Sequence, residues 1–166
     1  MPLFAVYLGG NVPNCNIESH DLVFVVADNI EQTLPKLKQM WHGEKSSCHV
    51  DGYLNLDYID NYEVQISETS SLNKLKLYFI NIGYTLEGQL IEQHQFFFIP
   101  TNSAEEAEIE AKRRIRLDPK KNFTHKDNLL AVDNCLDVGS LIPQCINLIP
   151  TKTNRKPELT STYILL

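Results

Sequence analysis

The chain has 166 residues, of which 43% are hydrophobic and 22% charged, and these fractions are ordinary for a soluble globular protein. Its net charge of −6 argues against nucleic acid as the main partner, because phosphate binding depends largely on Lys and Arg. Apolar runs stay well short of the roughly 18 residues that a membrane span needs. The start, "MPLFAVYLGG", is typical of a strand rather than a signal peptide, so a cytoplasmic protein is expected.

The elements of the first half follow from its apolar pattern. A strand at residues 3–8 runs into a glycine-containing loop, and a second strand at 21–27 is apolar on both faces, as interior strands are. Asp28 stands three residues before Glu31, an arrangement that predicts a helix cap. Pro35 then predicts a kink or a late start of the helix. A third strand at 53–59 and an alternating fourth strand at 62–67 complete this half.

The second half shows the same order of elements. Strands are predicted at residues 75–82 and 95–99, a helix after the Ser103–Glu106 capping signal, and a strand at 129–136. After that point the halves differ, because three prolines follow Val138. Residues 151–161 are predicted to form a loop, and "TYILL" a closing strand.

The two halves also share residues, which indicates a duplication. Residues 3–43 align with 77–117 without a gap, and the motif Ile-Glu-x-His occurs at Ile17 and again at Ile91. A two-residue shift then aligns "HVDGYLNLD" from His49 with "HKDNLLAVD" from His125. The identical pairs before the shift are Leu3/Leu77, Gly9/Gly83, Ile17/Ile91, Glu18/Glu92, His20/His94, Phe24/Phe98, Glu31/Glu105 and Lys38/Lys112.

The predicted fold is therefore α+β: a tandem duplication of a ββαβ(β) unit with mostly antiparallel sheet, one helix per unit and a pseudo-twofold relation. The first unit is expected to cover residues 1–70 and the second residues 71–166, the latter with an extended C-terminal tail. A shared sheet and two sheets packed through a common interface both agree with the pattern. The short linker at 68–76 favours one continuous core.

Gly9, the Ile-Glu-x-His motif, the strand and helix that follow it, and the later His-x-Asp together resemble a small bacterial family of unknown function. The domain of that family occurs as one or two copies per chain, and the resemblance covers residues 3–67 and 75–138. It implies a repeated α+β domain in a soluble bacterial protein. It implies no activity, cofactor or catalytic residue.

Two pairs of polar residues in each unit are the candidates for a ligand-binding site. Glu and His stand two residues apart at a strand entrance, where both side chains point to one side. A carboxylate there orients the imidazole for acid–base work, or else the pair only fastens the loop. His-x-Asp has the same spacing and the same two interpretations. The candidate residues are Glu18, His20, His49, Asp51, Glu92, His94, His125 and Asp127.

Other motifs favour structural explanations. "YLGGN" lacks the pattern of a phosphate-binding loop and is typical of a tight turn, and the basic stretch at residues 112–121 compensates a helix dipole. The four cysteines, which form no CxxC pair, are expected to be reduced and mostly buried thiols. No cofactor and no metal site are predicted, because nothing in the residue spacing fixes a metal geometry.

The leading functional hypothesis is a non-catalytic scaffold of two fused units. It would bind a protein partner or a small ligand near the junction of the units, and an ancestral single unit suggests a homodimer as another form of partnership. The alternative is a small-molecule enzyme, of hydrolase or isomerase type, with a histidine base oriented by Glu or Asp. Neither nucleic acid nor a membrane is expected as a partner.

Overall fold

A computed structural model describes residues 1–69, 75–86, 88–117 and 131–166. In these ranges the fold is α+β, with mostly antiparallel strands and two α-helices, as predicted. The contacts divide the chain into two compact units. Unit 1 comprises residues 1–69 and 149–166, and unit 2 comprises residues 70–148.

Unit 1 is organised around a four-stranded antiparallel sheet with the strand order β2-β1-β3-β9. Strand β1 is central and almost wholly buried, since it carries apolar side chains on both faces. Strand β4 pairs with β8 in a separate two-stranded sheet. The bounds are β1 Leu3–Gly10, β2 Ser19–Val26, α1 Leu34–Met40, β3 His49–Asn55, β4 Tyr58–Ser67, β8 Cys145–Arg155 and β9 Glu158–Leu165; the first four residues of β8 belong to unit 2.

The C-terminal segment corrects two predictions. Residues 151–161 are not a loop, because β8 and β9 occupy most of them, and β9 does not extend unit 2 but pairs with β3. Tyr53 lies opposite Thr160, and the backbone N–H of Leu166 donates to the carbonyl of Cys48 at 2.9 Å. The physical reason is that β3 has one edge on β1 and needs a partner for the backbone groups of its other edge.

The first helix starts late, as Pro35 predicted. A 3₁₀ turn at Glu31–Thr33 comes first, and α1 begins at Leu34 with Pro35 in its first turn, where the missing N–H costs nothing. The predicted cap at Asp28 is wrong, since Asn29 Oδ1 accepts from the N–H of Gln32 at 3.1 Å. The core between this segment and the sheet includes Phe4, Val6, Leu8, Val23, Val25, Ile30, Leu37, Trp41, Cys48 and Val50.

Unit 2 has a three-stranded antiparallel sheet with the order β6-β5-β7 and one long helix. Ser103 caps that helix as predicted, because its side chain accepts from the N–H of Glu106 at 3.2 Å. Ala107, Ala111 and Ile115 form its buried stripe against the sheet. The bounds are β5 Lys76–Tyr84, β6 Gln93–Thr101, α2 Ala104–Arg116 and β7 Ala131–Asp137.

The basic end of α2 is paired with acid on the same helix. Arg113 Nε lies 2.7 Å from Glu110 Oε2, and Arg114 Nε lies 2.8 Å from Glu110 Oε1. These hydrogen bonds lower the pKa of Glu110 to about 2. This arrangement agrees with the structural explanation of the basic stretch, part of which lies outside the described residues. Neither α-helix in the described ranges has the length and apolar character of a membrane span.

Candidate functional site

The site of unit 1 is built around a glycine in the central strand. Gly9 of β1 lies directly opposite His20 of β2 on one side and opposite His49 of β3 on the other. Residues opposite one another in neighbouring strands project their side chains to the same face. The two imidazole rings therefore flank a position that has no side chain of its own.

Two carboxylates meet the histidines above this glycine. Glu18, just before β2, brings Oε1 within 3.1 Å of His20 Nε2 and within 3.3 Å of His49 Nε2. Asp51 of β3 places Oδ2 at 3.2 Å from His20 Nε2 and Oδ1 at 3.4 Å from His49 Nε2. The structure thus brings together all four candidate residues of the first half.

Asp51 owes its position to a β-bulge. Tyr7 pairs with Gly52 and Leu8 pairs with Val50, so Asp51 is the extra residue between them. Bulges redirect a side chain and recur beside functional sites. Although Asp51 Oδ2 is at ion-pair distance from His20, it lacks hydrogen-bonding geometry and is a buried oxygen without a hydrogen-bond partner.

His49 is the most enclosed member of the cluster, with a side chain only 5% exposed. Its Nδ1 lies 2.9 Å from the carbonyl oxygen of Ser47, which can only accept. Nδ1 must therefore carry the hydrogen. In the neutral ring the lone pair is then on Nε2, which faces the two carboxylates.

An aromatic side chain packs against His20, the second histidine of the cluster. The ring of Tyr7 stacks on His20 with centroids 5.0 Å apart and an interplanar angle of 5°. The pKa of Tyr7 is raised, first by burial and then by the negative charge of Asp51. On the β9 side, the ring of Tyr163 packs on His49 with centroids 4.7 Å apart.

Unit 2 repeats the framework without completing the cluster. Gly83 of β5 lies opposite His94 and Ala131, so alanine stands where unit 1 has His49. His94 Nε2 is 3.9 Å from Glu92 Oε2, whereas Asp133 Oδ2 approaches the other ring nitrogen, Nδ1, at 3.4 Å. Nδ1 also lies 3.1 Å from Asn81 Oδ1. No single nitrogen of this ring faces both carboxylates at close range.

The strand register corrects the predicted pairing of Asp51 with Asp127. Asp133 is the extra residue between Val132 and Asn134 in β7, as Asp51 is in β3. His125 and Asp127 themselves lie outside the described residues. The misalignment arose because Gly83 follows Gly9 by 74 positions whereas Asp133 follows Asp51 by 82. The two-residue shift was therefore too short.

Sequence reasoning missed Asp133 and Tyr7. A signal for Asp133 was present, since Val-Asp followed by a small residue occurs in "HVDG" and again in "AVDN". Nothing in the sequence marked Tyr7, because its role comes from stacking across two strands.

The candidate site lies within a part of the chain that matches a known family model. Residues 15–66, which contain all four residues of the cluster, match the model of a domain of unknown function, DUF1543. This match confirms the resemblance to a family of unknown function. Among curated proteins, none matches the chain.

A solved bacterial structure is similar over nearly the whole chain. It is the crystal structure of protein Il1583 from Idiomarina loihiensis, which matches with a TM-score of 0.75 and 25% sequence identity. The match covers 98% of this chain and 96% of that chain. The fold of both units therefore also occurs in that bacterial protein, and neither comparison indicates a specific activity.

Proposed function

We propose that the protein is a non-catalytic binding module, built by duplication of a ββαβ unit, that binds a small cationic ligand in unit 1. The observation that carries this proposal is the convergence of Glu18, His20, His49 and Asp51 above Gly9, with N···O distances of 3.1–3.4 Å. The residues come from two strands and a loop, so the cluster is a product of the fold.

The charge of the cluster supports a cation as ligand. Glu18 and Asp51 offer carboxylate oxygens that accept hydrogen bonds, and the Nδ1 hydrogen of His49 is directed to Ser47, so that its Nε2 faces those oxygens. A cation is attracted to such a set, whereas an anion is repelled. The unpartnered Oδ2 of Asp51 also supports a cation as ligand, because a buried oxygen without a donor is stabilised by a bound positive charge.

Corresponding features of the two units support the duplication. Each has a central strand with a glycine near its end, a neighbouring strand with a histidine opposite that glycine, and a third strand with an aspartate in a bulge. In each, a Cβ atom on the glycine would lie within 3.0 Å of a carboxylate oxygen. Inheritance from one ancestral unit is the simplest explanation for the same features in separate sets of strands.

Catalysis is the second candidate, because His20 between two carboxylates resembles an oriented base. Binding is favoured over it by the surroundings of the cluster. A small-molecule enzyme encloses its substrate in a concave pocket. The cluster is instead open to solvent, since the side chains of Glu18, His20 and Asp51 are 43%, 35% and 32% exposed.

The test is thermal denaturation of the chelator-treated protein with a panel of salts. The panel contains Zn²⁺, Mn²⁺, Mg²⁺ and the diamine putrescine as cations, with phosphate and citrate as anions. At about 100 times its dissociation constant, a ligand of the folded state adds about 2.7 kcal/mol. We expect at least one cation to raise the melting temperature of the wild type.

The matched variants decide whether unit 1 is responsible. Glu18→Gln combined with Asp51→Asn removes both charges with little change in shape, and Glu92→Gln with Asp133→Asn does the same in unit 2. The cation effect should disappear in the first double variant and persist in the second. Stabilisation by anions alone, or equal cation effects in both double variants, would contradict the proposal.

We also propose that the protein is cytoplasmic, on the basis of its cysteines. All four cysteines are free thiols, and only Cys48 is buried rather than most of them as predicted; burial raises the pKa of Cys48. Unpaired cysteines suit a reducing compartment. A homodimer or protein partner stays a prediction that sedimentation would test.

A further inference from the structure

The cation can be specified further, and this step rests on the proposed function. We infer that unit 1 binds one divalent first-row transition-metal ion, such as Zn²⁺ or Mn²⁺, through Glu18, His20 and Asp51. No metal was expected from the sequence, because the three ligands come from a loop and two separate strands. Their arrangement appears once β2 and β3 flank β1.

The spacing of the donor atoms fits a single ion. One ligand atom from each of Glu18, His20 and Asp51 lies within 4.8 Å of the others, and His20 Nε2 is 3.1 and 3.2 Å from the two carboxylate oxygens. Ligands at about 2.0–2.2 Å from an ion lie roughly 3 Å apart in tetrahedral or octahedral geometry. Modest adjustments of exposed side chains would therefore close the triad on a metal.

The unpartnered Oδ2 of Asp51 is a second observation that supports a metal site, and it does not depend on the donor spacing. The oxygen is buried, faces His20 and accepts no hydrogen bond. A pair that served only to fasten a loop would be expected to satisfy it, because buried polar atoms are almost always hydrogen-bonded. A metal ion provides the missing partner, and two carboxylates balance its double charge.

The donor types select the class of metal. Two carboxylate oxygens with one imidazole nitrogen suit ions such as Mn²⁺ and Zn²⁺, whereas Ca²⁺ and Mg²⁺ favour sets made of oxygen alone. A thiolate-bound structural zinc is not indicated, since no cysteine belongs to the set. Three protein ligands leave coordination positions for water or a second ligand.

His49 distinguishes the metal from an organic amine. Its side chain is buried, its Nδ1 is bound to the Ser47 carbonyl, and its Nε2 lies 3.3 Å from Glu18 and 3.4 Å from Asp51. The ring of His49 therefore fills the space beside both carboxylates. An amine would need room for its carbon chain, and the cluster is tight: a Cβ atom on Gly9 would lie within 3.0 Å of three of its four side chains.

Unit 2 is the internal control for this inference. Its Glu92, His94 and Asp133 occupy the corresponding positions, yet Glu92 approaches Nε2 and Asp133 approaches Nδ1 of the same ring. One ion cannot bind both nitrogens of one imidazole. Unit 2 therefore presents the same residue types without a convergent triad, and we expect one ion per chain.

The experiment is calorimetric titration of the full chain with Zn²⁺ and with Mn²⁺ after removal of metals by chelator. A parallel titration with Co²⁺ monitors visible absorption, which reports nitrogen and oxygen ligands directly. We expect one ion per chain for the wild type. Loss of a second-shell partner lowers metal affinity about 10–100-fold, so loss of a direct ligand in Asp51→Asn or His20→Ala should lower it by more than about 100-fold.

Each outcome has a defined meaning. The unit 2 variants Asp133→Asn and His94→Ala should keep wild-type affinity, and circular dichroism confirms that every variant is folded. No binding at millimolar metal, or wild-type affinity in folded Asp51→Asn, would overturn the metal inference. If putrescine then still stabilises the wild type and not the Glu18→Gln/Asp51→Asn variant, the proposed cation binding survives, whereas absence of both effects overturns both proposals.

Discussion

A Cβ atom built on Gly9 would lie 2.6 Å from Nε2 of His49. Real Cβ atoms essentially never approach another heavy atom so closely, so the absence of a side chain at Gly9 is what allows the imidazole to occupy its place. The same atom would lie 2.9 Å from Asp51 Oδ2 and 3.0 Å from Glu18 Oε1. Gly9 therefore leaves free the space that the side chains of the cluster occupy.

Replacing this glycine should damage the site and the sheet together. Gly9→Ala forces His49 away from the carboxylates, and we expect a loss of about 1–3 kcal/mol in the free energy of unfolding. Zn²⁺ affinity, measured by calorimetry, should fall at least about tenfold. Gly83→Ala is the control, because its Cβ would also be crowded, at 2.7 Å from Asp133 Oδ2. It should lower stability and leave Zn²⁺ affinity unchanged; the reverse pattern would contradict the assignment to unit 1.

The stacked tyrosine should contribute through the orientation of His20. Tyr7→Ala removes the ring that lies 5.0 Å from the imidazole and leaves His20 free to rotate. Zn²⁺ affinity should then decrease about tenfold, as expected for loss of a partner that orients a ligand. Tyr7→Phe keeps the stack and should bind within about threefold of the wild type. Equal losses in both variants would show that the hydroxyl, not the ring, matters.

A variant designed to bind metal in unit 2 tests why the two units differ in their predicted metal binding. Ala131 lies opposite Gly83, where unit 1 has His49 opposite Gly9. Ala131→His together with Asn81→Tyr supplies both the missing histidine and the missing stacking ring. We expect a second, weaker ion in calorimetric titrations of this variant, so that the stoichiometry rises above one. A stoichiometry of one would mean that these two positions do not account for the difference between the two clusters.

The ion pairs of α2 give a pH-dependent prediction. Hydrogen bonds from Arg113, and then from Arg114, lower the pKa of Glu110 from 4.5 to about 2. Their stabilisation is therefore fully present above about pH 4.5 and is lost as the pH falls through about 2. Glu110→Gln should cost about 0.5–1 kcal/mol near pH 7, since the pairs are partly exposed to solvent.

Chemical denaturation at several pH values measures this cost. The difference between wild type and Glu110→Gln should shrink toward zero as the pH approaches 2. Glu108→Gln on the same helix serves as the control and should change stability by less than about 0.5 kcal/mol. A cost that stays constant down to pH 2 would exclude the carboxylate as its source.

Local patterns predicted most of the fold. The strands β1, β2, β5 and β6 and the capped helix α2 were predicted because apolar periodicity and the Ser103–Glu106 box are short-range signals. The strand β9 was assigned to the wrong unit because its partner, β3, lies about a hundred residues earlier in the chain. Strand pairing over such a separation leaves no local trace.

The residues of the site in unit 1 could be predicted from the sequence, but their convergence could not, for a similar reason. Repetition of Ile-Glu-x-His selected Glu18 and His20, and the spacing of His49 and Asp51 selected the second pair. Their convergence depends on Gly9 lying opposite both histidines, which is a property of the register. The bulge that places Asp51 in unit 1 and Asp133 in unit 2 is likewise invisible before the strands are paired.

The interruption of unit 1 by unit 2 affects the order in which the protein can be completed on the ribosome. Residues 70–148 leave the exit tunnel before β9, so unit 2 can fold while β3 still lacks its outer neighbour. Until Tyr163 emerges, His49 is without the ring that packs on it. The nascent chain therefore acquires the complete cluster, with Tyr163 packed on His49, last, and ions captured during synthesis would meet it only after nearly all of the polypeptide has been made.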